Sequence, residues 1–183
     1  MKAILAAISC GIGLAGGLLF SGPGTATFAG GCGLSVRQIW LESFTAEADT
    51  PDNCSGSEIT LRVRNRTGAV VHNSTYLVSD LFGFGDVDTP ADMREALEEW
   101  ISRYPAAATT DRLPAWREGE AVPDHREFPF YADDGISRER YEQIRQEKRL
   151  LHCFVQGGES LLCLTPDDRG DGLEVIGIQS FPG

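Results

Sequence analysis

Aromatic and acidic side chains are concentrated in residues 113–135, a segment that also carries Pro114, Pro123 and Pro129. Aromatic rings on a proline-stiffened loop can hold a sugar, a peptide or a partner protein, because little conformational entropy is lost on binding. The same rings could instead pack under a sheet and close the core. The binding residues that we expect here are Trp116, His125, Glu127, Phe128, Phe130, Tyr131, Asp133 and Asp134.

The carboxylates around His125 raise a catalytic alternative. A loop histidine beside Glu127, Asp133 and Asp134 could move protons in a small hydrolase or isomerase. No second histidine stands at metal-ligand spacing, so the sequence predicts no metal site and no cofactor. A groove that holds two of these side chains with shifted pKa values would favour the enzyme, whereas a flat or convex aromatic patch would favour a binding protein.

Two other motifs predict structure rather than catalysis. His152 precedes Cys153, but neighbours on a strand point to opposite faces and cannot act as a nucleophile and its base. The segment Phe82-Gly-Phe-Gly85 has too few glycines for a phosphate loop, and the nearby Asp86 and Asp88 would repel an anion. We expect a tight turn there. The sequence therefore identifies no catalytic residue and favours a non-catalytic protein.

The first thirty residues have the three parts of an export signal. Lys2 supplies a positive charge, an uncharged apolar stretch follows it, and the small residues Thr27 and Ala29 end the segment. Residues 1–29 are thus a predicted secretory signal peptide, and cleavage would release residues 30–183 to the periplasm or the medium. Two alternatives stay open: the first segment remains in the membrane as an anchor, or Cys32 carries a lipid.

Four cysteines follow the predicted cleavage site, and an even number in an exported chain predicts two disulfides with three possible connectivities. Cys153 and Cys163 flank a predicted hairpin turn, and a three-residue loop would place them directly opposite each other. A two-residue loop would instead place Leu162 opposite Cys153. The pairing that we expect is Cys153 with Cys163 and Cys32 with Cys54.

Hydrophobic periodicity predicts strands at both ends of the chain and helices between them. The clearest strand alternates Ile59, Leu61 and Val63 with polar residues. One helix begins at Thr89-Pro90 and the other at Ser137, each with a capping residue, and residues 105–135 form a long connection. The predicted strands are 34–48 (with a bulge), 59–64, 69–78, 150–156, 160–165 and 173–181. This pattern predicts a single α+β domain over residues 30–183: one antiparallel sheet of five or six strands, with two helices inserted between its N-terminal and C-terminal groups.

A net charge of −11 over 183 residues limits the partners that the protein can have. Nucleic acids and anionic membrane surfaces require a basic face, so membrane contact is expected only through an uncleaved signal or a lipidated Cys32. We expect a small exported acidic domain that binds or inhibits a basic protein or a cell-envelope polymer without catalysis. The alternatives are the small enzyme with His125 and a structural envelope protein held by its uncleaved first segment.

Overall fold

The computed structural model describes residues 33–51, 58–102, 106–124 and 127–181. It confirms an α+β fold. The expected single sheet of five or six strands is wrong, because the described residues form two antiparallel sheets of four and five strands. The strands differ in how they are buried. The strand Glu58–Arg64 buries every second residue, whereas the central residues of the strands Leu150–Val155 and Ser160–Pro166 are buried in an unbroken run. A strand covered on both faces belongs to an inner layer, and a strand covered on one face belongs to an outer layer.

The first sheet consists of four strands in chain order, each paired with the next. They are β1 (Ser35–Trp40), β2 (Phe44–Asp49), β3 (Glu58–Arg64) and β4 (Val70–Leu77). The predicted strand 34–48 is in fact a hairpin, in which Trp40 pairs with Phe44. The chain reverses at Leu41 and Glu42, which both have positive φ angles. This turn lacks the glycine or asparagine that usually marks such a reversal, so no residue type indicates it in advance.

The second sheet has the order β5-β7-β8-β9-β6. Its three central strands were predicted, but both of its edges come from the long connection, which is therefore partly ordered rather than a simple loop. The two edge strands are very short, and the alanines of β5 have a low propensity for β-structure. The strands are β5 (Ala106–Thr109), β6 (Phe130–Ala132), β7 (Leu150–Val155), β8 (Ser160–Pro166) and β9 (Leu173–Ser180).

The two predicted helices are confirmed as α1 (Pro90–Ser102) and α2 (Arg138–Glu147). At the start of α1, the Thr89 hydroxyl donates to Asp92 Oδ2 (2.7 Å) and the Asp92 backbone N–H donates back to the Thr89 hydroxyl (3.2 Å). At the start of α2, Ser137 Oγ accepts a hydrogen bond from the Arg140 N–H (3.2 Å). Each cap satisfies an N–H group that the helix itself cannot pair.

Two hydrophobic clusters lie on opposite faces of the second sheet. One contains the inner face of the first sheet, the apolar side of α1 and the residues Phe154, Leu162 and Leu164. The other lies between the second sheet and α2, where Tyr141 and Ile144 are fully buried. The second sheet is thus the middle layer of the protein.

Cys153 and Cys163 pair directly opposite each other on β7 and β8, and a disulfide joins them. This confirms the expected pairing and its three-residue loop register. The bond lies in the cluster beneath α2, and both cysteines are buried. The other expected pair, Cys32 with Cys54, lies outside the described residues.

Candidate functional site: an aromatic groove beside an acidic one

An open groove of about 320 Å³ lies at the end of the second sheet where β7 turns into β8. We call it the aromatic groove. Phe82 and Phe181 contribute its two rings, and the backbone of Gly157 and Gly158 contributes polar groups between apolar side chains. Its size is at the lower limit for small-molecule and side-chain sites in proteins. The lining residues are Phe82, Val155, Gly157, Gly158, Glu159, Ser160, Leu161 and Phe181.

Backbone hydrogen bonds fix both aromatic residues of this groove. The Phe82 N–H donates to the Gly157 carbonyl (3.4 Å), and the Phe181 N–H donates to the Glu159 carbonyl (2.8 Å). Two segments that are far apart in the chain are therefore held against the same hairpin, and each places one ring in the groove. The Phe82 side chain is 56% exposed, which is a large apolar surface for a residue whose backbone is held in place.

Phe82 also borders a second groove of about 460 Å³, which we call the acidic groove. It lies along the first turns of α1, and its carboxylates come from Asp86, Asp92, Glu95 and Glu99. The hydrogen bond from the Thr89 hydroxyl lowers the pKa of Asp92 and keeps this carboxylate ionised. No ion pair within the described ranges involves Asp86 or Glu95.

On two other surfaces, carboxylates are matched by arginines. On the outer face of the first sheet, Glu47 accepts a hydrogen bond from Arg37 (2.8 Å) and lies 3.5 Å from Arg64, and these contacts lower the Glu47 pKa. Beside α2, Arg140 binds Glu174 at 2.8 Å. Asp86 and Glu95 of the acidic groove thus differ from these carboxylates, whose negative charge is locally compensated.

The structure separates the aromatic residues that the sequence suggested as one binding set. Phe130 is 2% exposed, and Trp116 is half-buried; both rings pack against Tyr141 in the cluster beneath α2. Phe128 and Tyr131 are each nearly half exposed. Phe128 packs on Phe181, with ring centroids 5.6 Å apart, and so extends the aromatic groove.

The acidic residues of the same segment are not brought into either groove. Glu127, Asp133 and Asp134 are exposed, and none of them lines the aromatic or the acidic groove. The Asp133 carboxylate accepts a hydrogen bond from the Gly135 N–H (3.0 Å) and so supports the turn before α2. His125 lies outside the described residues.

Phe82 and Phe181 were missed because no sequence pattern joins them. The motif Phe82-Gly-Phe-Gly85 is indeed a turn, with Gly83 at a φ of 92°. It buries Phe84 and exposes Phe82. Periodicity cannot distinguish the two rings because the segment has neither helical nor strand spacing. The only available signal was the aromatic composition of the turn itself.

Comparison with known proteins gave no match to a protein-family model, to a curated protein or to a solved structure. Among the described residues there is no helix with the length and hydrophobicity needed to span a membrane. The same part of the chain contains no group of three or more histidine, cysteine, aspartate or glutamate residues placed to hold a metal ion.

Proposed function

We propose that this protein is a non-catalytic, exported binding module whose partner is a basic protein or peptide segment. The observation that carries the proposal is the position of Phe82, an exposed ring shared by an apolar groove and a groove with four carboxylates. A partner with an apolar side chain next to lysine or arginine would contact both grooves at once.

The aromatic groove supplies the affinity in this proposal. Rings with fixed backbones lose little entropy when a ligand packs on them, so buried apolar area contributes to binding with a small ordering cost. The backbone polar groups of Gly158, which is exposed, can position the backbone of a bound peptide. Phe128 packs on Phe181 and so enlarges the apolar surface next to the aromatic groove.

The acidic groove supplies selectivity and speed of encounter. Its carboxylates lie within a protein of net charge −11, so the local field and the overall field have the same sign. A negative field accelerates association with a basic partner and disfavours acidic ones. Added salt screens this field and weakens the effect.

We expect a synthetic peptide with one tryptophan flanked by lysines to bind, and its glutamate-flanked counterpart not to bind. Replacing Phe82 with Ala should weaken binding about tenfold, because the ring is the contact common to both grooves. Isothermal titration calorimetry at low and high salt would measure both effects.

Val70→Ala is the matched control, because Val70 is an exposed apolar residue on the first sheet, outside both grooves. It should leave the affinity unchanged. Equal binding of the two peptides, or equal binding by Phe82→Ala and the parent protein, would contradict the proposal. Binding of a neutral glycan oligomer in place of the basic peptide would point instead to a cell-envelope polymer as the partner.

Export is a separate part of the proposal and has its own test. The intact mass of the protein from its native host should correspond to a chain starting near Gly30, and four thiols should become alkylated only after reduction. A mass with acyl chains at Cys32, or with Met1 retained, would contradict this and favour a membrane-held protein.

The alternative, a small hydrolase or isomerase, requires a particular arrangement of side chains. It needs His125 and at least two of Glu127, Asp133 and Asp134 around one substrate, but these three carboxylates are exposed and lie outside both grooves. The binding proposal is preferred because its residues are already adjacent.

A further inference from the structure

A third groove, of about 330 Å³, lies beside the β1–β2 turn. We call it the Trp40 groove. It is formed by the β1–β2 hairpin, the end of α1 and the beginning of β7, and it shares no residue with the aromatic or the acidic groove. Ile39, Leu41 and Ile101 supply apolar walls, whereas Glu42 and His152 supply polar groups.

His152 has a buried polar atom without a partner. The residue is 6% exposed, and its Nε2 has no hydrogen-bond partner. Its ring packs on Trp40, with centroids 4.0 Å apart. Burial lowers the His152 pKa to about 4, so the ring is neutral at physiological pH. A buried nitrogen without a partner destabilises a folded protein, and such atoms are rare unless a ligand or a water completes them.

The turn that borders this groove is built from unfavourable residues. Leu41 has a φ of 48° and Glu42 a φ of 66°, and the Ser43 N–H donates to the Trp40 carbonyl (3.2 Å). Two successive positive φ angles favour Asn-Gly or Asp-Gly, and other residues cost stability there. Both side chains that replace the favourable pair line the Trp40 groove.

The charge of Glu42 limits what can occupy the groove. Glu42 is exposed, and no other described residue forms an ion pair with it. A cationic group next to this carboxylate would be stabilised, whereas an anion would be repelled. The Nε2 of a neutral imidazole either donates or accepts a hydrogen bond, depending on the tautomer. A hydroxyl group does both and therefore matches either tautomer.

We propose that the Trp40 groove binds a small molecule with an ammonium group at one end, a hydroxyl at the other and an apolar body between them. The ammonium pairs with the Glu42 carboxylate, the body packs on Ile39 and Leu41, and the hydroxyl completes the hydrogen bonding of His152 Nε2. This site is independent of the aromatic groove, so failure of the peptide experiment would leave it standing.

Tyramine is a suitable probe, because phenethylamine lacks only its hydroxyl and 4-ethylphenol lacks only its ammonium group. Titration would be followed through the imidazole NMR signals, with His72 as an internal control because it lies on β4 and does not line the Trp40 groove. We expect saturable shifts at His152 and none at His72. Each incomplete analogue should bind about tenfold more weakly, because one polar contact is lost.

Two sets of variants separate this site from non-specific adsorption. Glu42→Gln changes an exposed side chain, so the fold should persist; it should weaken tyramine and phenethylamine but leave 4-ethylphenol unaffected. The double variant Leu41→Asn with Glu42→Gly should raise the midpoint of thermal unfolding, because the turn is relieved, while tyramine binding is lost. Absence of a saturable His152 shift at millimolar tyramine, or equal affinity for all three probes, would overturn the proposal.

Discussion

Lowering the pH from 6.5 to 4 should reduce the free energy of unfolding by about 3 kcal/mol through His152 alone. Burial lowers the His152 pKa to about 4 in the folded protein, whereas an unfolded chain has the ordinary value of 6.5. Above pH 6.5 both states are neutral at this residue, and stability is complete. As the pH falls below 6.5, the unfolded chain binds a proton that the folded protein excludes. The free energy of unfolding therefore decreases until the pH reaches the pKa of the folded protein.

Urea denaturation at a series of pH values would measure this effect. His152→Phe keeps a ring against Trp40 but removes the proton site, so its stability should change far less over the same range. The variant should be at least as stable as the parent at neutral pH, because the unpartnered Nε2 is gone. His72→Asn is the matched comparison: burial lowers the His72 pKa in the same direction, and removing it should leave the contribution of His152 in place. An equal acid loss in His152→Phe and the parent would show that His152 is not the cause.

Removal of the Cys153–Cys163 disulfide should destabilise the protein by about 3 kcal/mol. The bond closes a loop with a sequence separation of 10. Releasing such a loop increases the entropy of the unfolded chain, which lowers the free energy of unfolding by roughly this amount. Because both cysteines are buried, replacing them with alanine also removes packing beneath α2. The double variant Cys153→Ala with Cys163→Ala should therefore show at least the entropic loss in urea denaturation.

Chemical reduction measures the contribution of the disulfide to stability separately from the packing of the cysteine side chains. In a background with Cys32 and Cys54 changed to alanine, a reductant should destabilise the protein that retains Cys153 and Cys163 and have no effect when these are also alanine. If the reductant left both proteins equally stable, the disulfide would contribute nothing to the folded state.

The elements that could be predicted from sequence are those whose residues carry a local signal. Ile59, Leu61 and Val63 alternate with polar residues because β3 is covered on one face. Thr89 and Ser137 cap their helices through hydrogen bonds within a few residues. Cys153 and Cys163 follow from the register of a single hairpin. In each case the residues that decide the structure are close together in the chain.

The parts that could not be predicted depend on tertiary contacts. The β1–β2 turn carries Leu41 and Glu42 at positions where hairpins usually have asparagine or glycine, so residues 34–48 were predicted as one strand with a bulge. Strand β6 is three residues long and exists because it pairs with β9. The close contact there requires Gly177, since a Cβ at this position would clash with the Tyr131 carbonyl oxygen.

The candidate site shows the same division. Phe128 and Tyr131 were expected to be available for binding and are exposed, but Phe130 belongs to the core. Phe82 and Phe181 each form a backbone hydrogen bond with the β7–β8 hairpin, although neither residue belongs to that hairpin. The sequence does not predict these two contacts, because the separation of Phe82 and Phe181 corresponds to no helical or strand periodicity.

The strand orders of the two sheets imply different timing when the chain folds. Every pair in the first sheet joins consecutive strands, so its ladders require no residue beyond Leu77. The edges of the second sheet pair across long stretches of chain: Ala106 with Cys153, and Phe130 with Gln179. Closing such long loops is slow relative to forming hairpins. The first sheet can therefore form early while the chain is synthesised from its N-terminus. Its apolar face is then covered first by α1, and the cover is completed only when β7 and β8 have been made.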